Sequence, residues 1–395
     1  MAHREGLMDL VTTTTGDIEA NFRAIEEGRK RVIKQPQVIT WFLPIVTHAL
    51  KGGVRTVFAF SEYMSVKYGT LNVFVVYAYN GVDFDSASLS NSLRDHFPNL
   101  KFVIRKFLHG KDRVEDLPHS DISVCTLWTT AYIMLRYNQT ARKFYFMQDF
   151  EPMFYAGGDL YMMIEQTYRL GYSCIANTPG VGNKYRAYSS DVVSFLPGID
   201  GSVFYADPEK SDRINADGMW QIVFYGRPGN ARNGFFLGAE TLKSVKDRLG
   251  NKVRIISVGA DWAPAEFGLE GVVENLGLLK RIEEVADLYR KSDLGLVFMA
   301  TPHPSYQPLE YMACGCVVAT NRNESNNWLL NANNSLLLDP IPSVAADCIV
   351  RLLQSPDKRR RLIENGIETV KELNWSTAFE VIETRMIWSA PLADS

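Results

Sequence analysis

The chain has 395 residues, 46% of them apolar and 22% charged, and a formal net charge of -3. That length exceeds what one hydrophobic core usually fills, so two domains are expected, and the lack of a long polar or low-complexity tract excludes extensive disorder. The slight acidity excludes a general nucleic-acid binder, which would gather a basic excess on one face.

The opening MAHREGLMDLVTTTTGD has no apolar core of signal-peptide length, and no stretch approaches the roughly 18 apolar residues needed to span a bilayer. A cytoplasmic chain, at most peripheral to a membrane, is expected. The five cysteines (Cys125, Cys174, Cys314, Cys316, Cys348) are scattered, and the one C-x-C pair has no second pair to complete a zinc site. They read as reduced thiols.

From Gly16 to Lys34 the pattern is helical and charged, with Asp17 near its start and Lys30, Arg31 and Lys34 near its end, as the helix dipole favours. It is expected to form an N-terminal extension over residues 1–35. Short β-branched and aromatic runs then alternate with amphipathic stretches: Val38 to Leu43, Asn72 to Tyr79, Phe102 to Arg105, Ile122 to Thr126 and Lys143 to Met147. Such alternation predicts a parallel sheet covered by helices. Ligands of such sheets bind beyond the carboxyl ends of the strands, so the loops there are the ones to search.

The first such loop is THALKGGVRT, in which Gly52 and Gly53 precede a helix. Backbone without side chains can approach an anion closely, and a helix start offers free N–H groups, although a double glycine also serves as a plain tight turn. In FYFMQDFEPMFYAGGD, an apolar strand runs into Gln148, Asp149 and Glu151, which could orient an acceptor hydroxyl or a reacting sugar. Two close carboxylates also admit a glycosidase reading, which depends on a separation that sequence does not contain.

Pro197 to Met219, rich in Gly, Pro, Asp and Ser, reads as an interdomain linker with the boundary near residue 215. Strands then resume at Gln221 to Tyr225, Val253 to Val258, Gly271 to Leu276, Leu294 to Met299 and Cys316 to Ala319. The expected domains are residues 36–214, 215–374 and a terminal segment 375–395.

Within the second series, FYGRPGNARNG places Arg227 and Arg232 in a loop at a strand end. Two guanidinium groups there could clamp a diphosphate; the alternative is two solvated surface arginines. In MATPHPSYQPLEYMACGCVVAT a strand ends, a loop with His303 and Ser305 follows, and a helix opens near Tyr306 or Gln307 with Glu310 one turn in. A carboxylate there could accept from a ribose hydroxyl while Ser305 and the helix start face phosphate; otherwise Glu310 merely complements the helix dipole and His303 is structural.

Taken in order, the Gly52-Gly53 loop, QDFEP, GRPGNAR, VENLGLL, HPSYQPLEYMACG and LNWSTAFEVI resemble the retaining glycosyltransferases of the two-Rossmann-domain (GT-B) type, family 4, over residues 37 to 388. The closer likeness is to the rhamnosyltransferases that build bacterial surface-layer glycan from dTDP-L-rhamnose. The resemblance implies two Rossmann-like α/β domains with parallel sheets facing a central cleft, and a last helix crossing back to the first domain. It implies donor contacts at Gly52, Gly53, Arg227, Arg232, Asn275, His303, Ser305, Tyr306 and Glu310, with catalytic roles for Asp149, Arg227 and Glu310, and an acceptor side at Gln148, Asp149 and Glu151.

Three positions depart from the family pattern. Arg232 stands where lysine is usual, the first glutamate of the paired-glutamate motif is replaced by Pro302, and the acceptor-side histidine gives way to Gln148 and Asp149. The implied reaction is transfer of a sugar from a nucleotide-sugar donor, without a metal, to an oligosaccharide or lipid-linked glycan. A lipid-linked acceptor would bring the chain to the inner face of the cell membrane. A nucleotide-sugar epimerase of the same fold and a non-catalytic nucleotide-sugar-binding subunit are the rival readings.

Overall fold

A computed structural model describes residues 12–46, 48–49, 53–78, 84–108, 110–207, 219–303 and 305–388. The chain divides into two compact units, residues 1–195 with 378–395, and residues 196–377.

The first unit runs α1 (Thr15–Arg29), β1 (Val38–Leu43), α2 (Val54–Tyr68), β2 (Leu71–Ala78), α3 (Ser86–His96), β3 (Phe102–Leu108), β4 (Ser120–Cys125), α4 (Trp128–Arg136), β5 (Thr140–Met147), α5 (Asp159–Thr167), β6 (Ser173–Asn177), α6 (Pro179–Tyr185) and β7 (Val192–Phe195). Its seven strands are parallel in the order β3-β2-β1-β4-β5-β6-β7. The order reverses between β1 and β4, so the loops after those two strands flank the crevice typical of such sheets.

Helix α1 is a layer of this unit rather than an extension ahead of it. A capping box starts it, with Asp17 N–H donating to Thr14 Oγ1 (3.1 Å) and Thr14 N–H to Asp17 Oδ2 (2.8 Å). Asn21 Nδ2 donates to the Leu170 carbonyl at 2.9 Å, and a Cβ on Gly28 would stand 1.7 Å from the Ala141 carbonyl oxygen of β5. Lys143 of β5 donates from its buried Nζ to Asn21 Oδ1 (2.8 Å), Asn138 Oδ1 (2.8 Å) and the Met134 and Leu135 carbonyls that end α4. Charge patterning alone could not distinguish a solvated extension from a helix whose one small face is pressed on a sheet.

The second unit runs β8 (Trp220–Tyr225), α7 (Phe235–Leu249), β9 (Val253–Val258), β10 (Glu274–Asn275), α8 (Ile282–Lys291), β11 (Leu294–Leu296), α9 (Gln307–Ala313), β12 (Val317–Asn321), β13 (Ser335–Leu338), α10 (Pro342–Leu353) and α11 (Pro356–Val370). Six parallel strands lie in the order β10-β9-β8-β11-β12-β13, reversing between β8 and β11. Along β8, Ile222 and Phe224 pack into a core with Leu242 and Ile349, whereas Val223 packs into another with Tyr289 and Tyr311. Burial on both faces is why this strand reads as a continuous apolar run.

The division falls at Leu196, earlier than the expected 214/215. Residues 196–207 are not a free linker: Ile199 N–H donates to the Leu373 carbonyl (3.0 Å), Gly198 lies against the Trp375 backbone, and Phe204 is buried beside Tyr289. Residues 208–218 lie outside the described residues. The strands β6, β7 and β13 also escaped the sequence reading; each has five residues or fewer, too few to establish a period.

The last helix, α12 (Trp375–Trp388), packs on the first unit from Ala378 onward. Glu383, buried, accepts from Lys67 Nζ (2.7 Å), Tyr63 Oη (2.5 Å) and Tyr68 Oη. Arg385 pairs with Asp191, and Arg142 Nη1 donates to the final carbonyls of Met386 (2.9 Å) and Ile387 (3.0 Å). A guanidinium at a helix carboxyl end satisfies carbonyls that have no partner within the helix.

Candidate functional site

The two loops that leave the second sheet at its reversal point, after β8 and after β11, carry most of the sequence-predicted donor residues. Arg227 follows β8 directly. Its Nη1 donates to Tyr225 Oη at 3.1 Å, and its guanidinium stands 5.6 Å from the centre of the Tyr225 ring. That placement needs Gly259, whose φ is +109°: a Cβ there would come within 2.7 Å of the Tyr225 ring. The guanidinium is thus oriented before any ligand arrives.

Arg232 lies in a short 3-10 turn, Ala231–Asn233, that leads through Gly234 into α7. The Ala300 N–H donates to the Arg232 carbonyl at 2.8 Å, tying the loop after β8 to the loop after β11. Asparagines hold the second loop from either side. Asn233 Nδ2 donates to Met299 Sδ (3.2 Å), Asn321 bonds both Met299 N–H (2.7 Å) and Met299 carbonyl (2.9 Å), and Asn323 Nδ2 donates to the Thr301 carbonyl (2.8 Å). None of these three was expected from sequence. The asparagine-rich run NRNESNNW directly after a strand is the one signal that could have found two of them, because asparagine side chains bond backbone in turns.

Beyond Thr301 the chain makes a tight turn. The Ser305 N–H donates to His303 Nδ1 at 2.9 Å, and Ser305 Oγ donates to Gln307 Oε1. Ser305 has φ +66°, a left-handed conformation uncommon for residues other than glycine. The His303 ring meets the Tyr306 ring edge-on at 5.5 Å. Burial, with a smaller push from the positive charge of Arg232, lowers the His303 imidazole to about 3, so the ring is neutral at physiological pH. Glu310 sits in the first turn of α9, its N–H donating to the Tyr306 carbonyl at 3.0 Å. Arg232, His303, Ser305 and Tyr306 therefore share one connected loop pair, Glu310 follows it by one helical turn, and Arg227 stands at the start of the same β8 loop.

Asn275 is a correction. Its amide nitrogen donates to the carbonyls of Ala260 (3.1 Å) and Trp262 (2.8 Å), and its Oδ1 accepts from Gly277 N–H (3.2 Å). Both ends of the amide are engaged in joining the loops after β9 and β10, so the residue shapes that surface instead of offering its side chain to a donor.

The predicted acceptor-side residues of the first unit also have more structural duties than expected. Gln148 Nε2 donates to the Gly53 carbonyl at 2.9 Å, and its Oε1 lies 1.7 Å from where a Gly53 Cβ would be. Gly53 thus serves the close approach of Gln148, and Gln148 ties the loop after β5 to the loop after β1. Gly52 lies outside the described residues. Asp149 is only 4% exposed and accepts from the following Phe150 N–H at 2.8 Å.

Glu151, expected to face an acceptor, is 3% exposed and caps α4. Its Oε2 accepts from Trp128 N–H (2.7 Å) and Tyr145 Oη (3.0 Å), while its own N–H donates to Tyr168 Oη (3.2 Å). Burial, with a smaller push from Asp149, raises its carboxyl to about 8 against the lowering effect of the Trp128 and Tyr145 bonds. Among the described residues no group of three or more His, Cys, Asp or Glu is placed to hold a metal ion.

Residues 220–354 match the family described as WsaF, C-terminal domain. The chain is 37% identical over 341 residues to the O-antigen biosynthesis protein RfbC of Myxococcus xanthus, covering 86% of this chain and 26% of that protein, so it spans about a quarter of the length of the curated relative. Among solved structures it is similar to the sucrose-phosphate synthase of Thermosynechococcus elongatus (16% identity, 89% of this chain and 100% of that one, TM-score 0.65). It is also similar to HepE of Anabaena in complex with UDP and glucose (14% identity, 88% and 98%, TM-score 0.68). The two parallel sheets and these matches give the chain the GT-B glycosyltransferase fold.

Proposed function

We propose that this chain is a nucleotide-sugar-dependent glycosyltransferase of bacterial cell-surface glycan assembly, and that its donor is dTDP-L-rhamnose, used with retention of anomeric configuration. The observation that carries the reading is the loop pair at the reversal point of the second sheet, where Arg227 and Arg232 follow β8 and Glu310 lies in the first turn of the helix after the neighbouring β11. A relative named for O-antigen biosynthesis and a structural neighbour solved with UDP and glucose support the general activity. The resemblance of the motif set supports the rhamnosyl donor.

In this reading the Arg227 and Arg232 guanidinium groups take the charge that develops on the departing diphosphate, in the role a divalent cation plays elsewhere. Glu310 accepts from the ribose. The acceptor hydroxyl bonds to the anomeric carbon on the face from which the diphosphate leaves, and its proton passes to a departing phosphate oxygen. Asp149, almost wholly buried and bonded to its own neighbour's N–H, is the weaker candidate for that proton. The acceptor is an oligosaccharide or lipid-linked glycan bound by the first unit. No described helix is long and apolar enough to cross a membrane, and a lipid-linked acceptor would place the chain peripherally at the cytoplasmic face.

Calorimetric titration of the chelator-treated protein with dTDP, UDP, GDP and ADP tests the donor. Selective dTDP binding without added metal, lost in Glu310→Ala and Arg227→Ala, is the expected result. Preference for UDP would change the donor and leave the reaction class standing. Binding of none of the four would overturn the donor site. Turnover of dTDP-L-rhamnose without any acceptor would point to an epimerase, and dependence of transfer on added magnesium or manganese would overturn the metal-free reading.

A further inference from the structure

The turn after β11 contains a bond that determines how a histidine is used. His303 Nδ1 accepts the N–H of Ser305, two residues on, at 2.9 Å. An imidazole nitrogen that accepts a hydrogen bond has no proton of its own, so in the neutral ring the proton is on Nε2. The bond imitates an Asx-turn, in which an asparagine or aspartate side chain accepts from the N–H two residues later. It also accompanies the left-handed φ of Ser305, whose hydroxyl is in turn bonded to Gln307 at the start of α9.

We infer that His303 is a positioning residue for the donor site: by accepting the Ser305 N–H through Nδ1 it fixes the placement of Ser305 and Tyr306, and it transfers no proton in the reaction. The inference rests on the donor-site reading above. The surrounding groups agree with it. Arg232 from the loop after β8 is the positive charge that acts on the ring, which together with burial opposes protonation, and Tyr306 packs against the ring face-to-edge. A ring that must remain an acceptor is served by a neighbouring guanidinium, whereas a general acid or base would be served by a carboxylate.

The test compares wild-type protein with H303A and H303N. Asparagine can accept from the Ser305 N–H in the same turn; alanine cannot. Expected for H303A is a roughly fivefold to tenfold weaker dTDP affinity and a matching rise in donor KM with kcat little changed, the size of one lost turn-forming bond. H303N is expected to recover most of that loss, and both variants are expected to unfold at the wild-type temperature to within a few degrees. In protein labelled with nitrogen-15 in its six histidines, the His303 signals, identified by their absence from the H303N spectrum, are expected to show an unprotonated Nδ1 and a protonated Nε2. Wild-type affinity in H303A, H303N as weak as H303A, or a protonated Nδ1 would overturn the role. If wild-type protein bound no nucleotide, the donor-site reading would fall and this role with it, and the nitrogen spectrum would still decide the tautomer.

Discussion

Arg227→Ala is expected to lower kcat by about 100- to 1000-fold, the range seen when one preorganised donor to developing charge is removed from an active site. The guanidinium is fixed by the Tyr225 hydroxyl and stands over the Tyr225 ring, which itself rests against a glycine that no other residue could replace without contact. Little orientation is left to be lost as charge grows on the diphosphate, so the interaction should be stronger at the transition state than with bound donor. The effect should therefore appear in kcat and in the affinity for free dTDP, whose terminal phosphate carries the charge that develops on departure, with a smaller change in donor KM. Arg227→Lys keeps a positive charge but loses the planar fork and the Tyr225 stacking geometry, and is expected to recover part of the rate only. Steady-state measurement of nucleotide release against donor concentration separates the two parameters. An alanine variant with wild-type kcat would remove Arg227 from the mechanism.

Glu151→Ala is expected to destabilise the first unit by roughly 2–4 kcal/mol, because it leaves a cavity and strands two buried donors, the Trp128 N–H and the Tyr145 hydroxyl. Glu151→Gln retains an acceptor of the same shape and should be far milder. The two differ further in pH dependence. The folded-state carboxyl titrates near 8, above its ordinary value of 4.5, so its contribution to stability is complete below about pH 4.5 and is lost as pH rises through about 8. Wild-type protein should therefore lose stability relative to Glu151→Gln between pH 5 and pH 8. Urea unfolding at those two pH values checks both statements; a wild type that gained on the glutamine variant as pH rose would mean that the helix start and the tyrosine hold the carboxyl ionised. Since Glu151 follows Gln148 and Asp149 in one loop, the same variants should also disturb whatever the first unit binds.

Much of this molecule was legible in its sequence. Two α/β domains, the positions of most strands, and the loops that leave the second sheet at its reversal point followed from alternating apolar runs and from where polar and glycine-rich segments interrupt them. Such features are local: a buried parallel strand announces itself by β-branched and aromatic residues in a row, and a loop at its carboxyl end by the residues that break the run. Glu310 could be placed in the first turn of a helix because the proline-rich segment before it marks where the helix starts.

What only tertiary structure decided is how polar side chains are spent. Asn275, Gln148 and Glu151 have the residue types of a binding site, yet the fold commits them to the Ala260 and Trp262 carbonyls, to the Gly53 carbonyl and to the start of α4. Asn321 and Asn323, which the sequence did not single out, hold the loop after β11 through the Met299 and Thr301 carbonyls. A buried polar group must find a partner or cost several times what an exposed one does, and its partner is often tens of residues away. Sequence therefore determined the elements and the loops of this protein, because those depend on neighbours along the chain; the allocation of each amide and carboxylate between scaffold and site depended on neighbours in space.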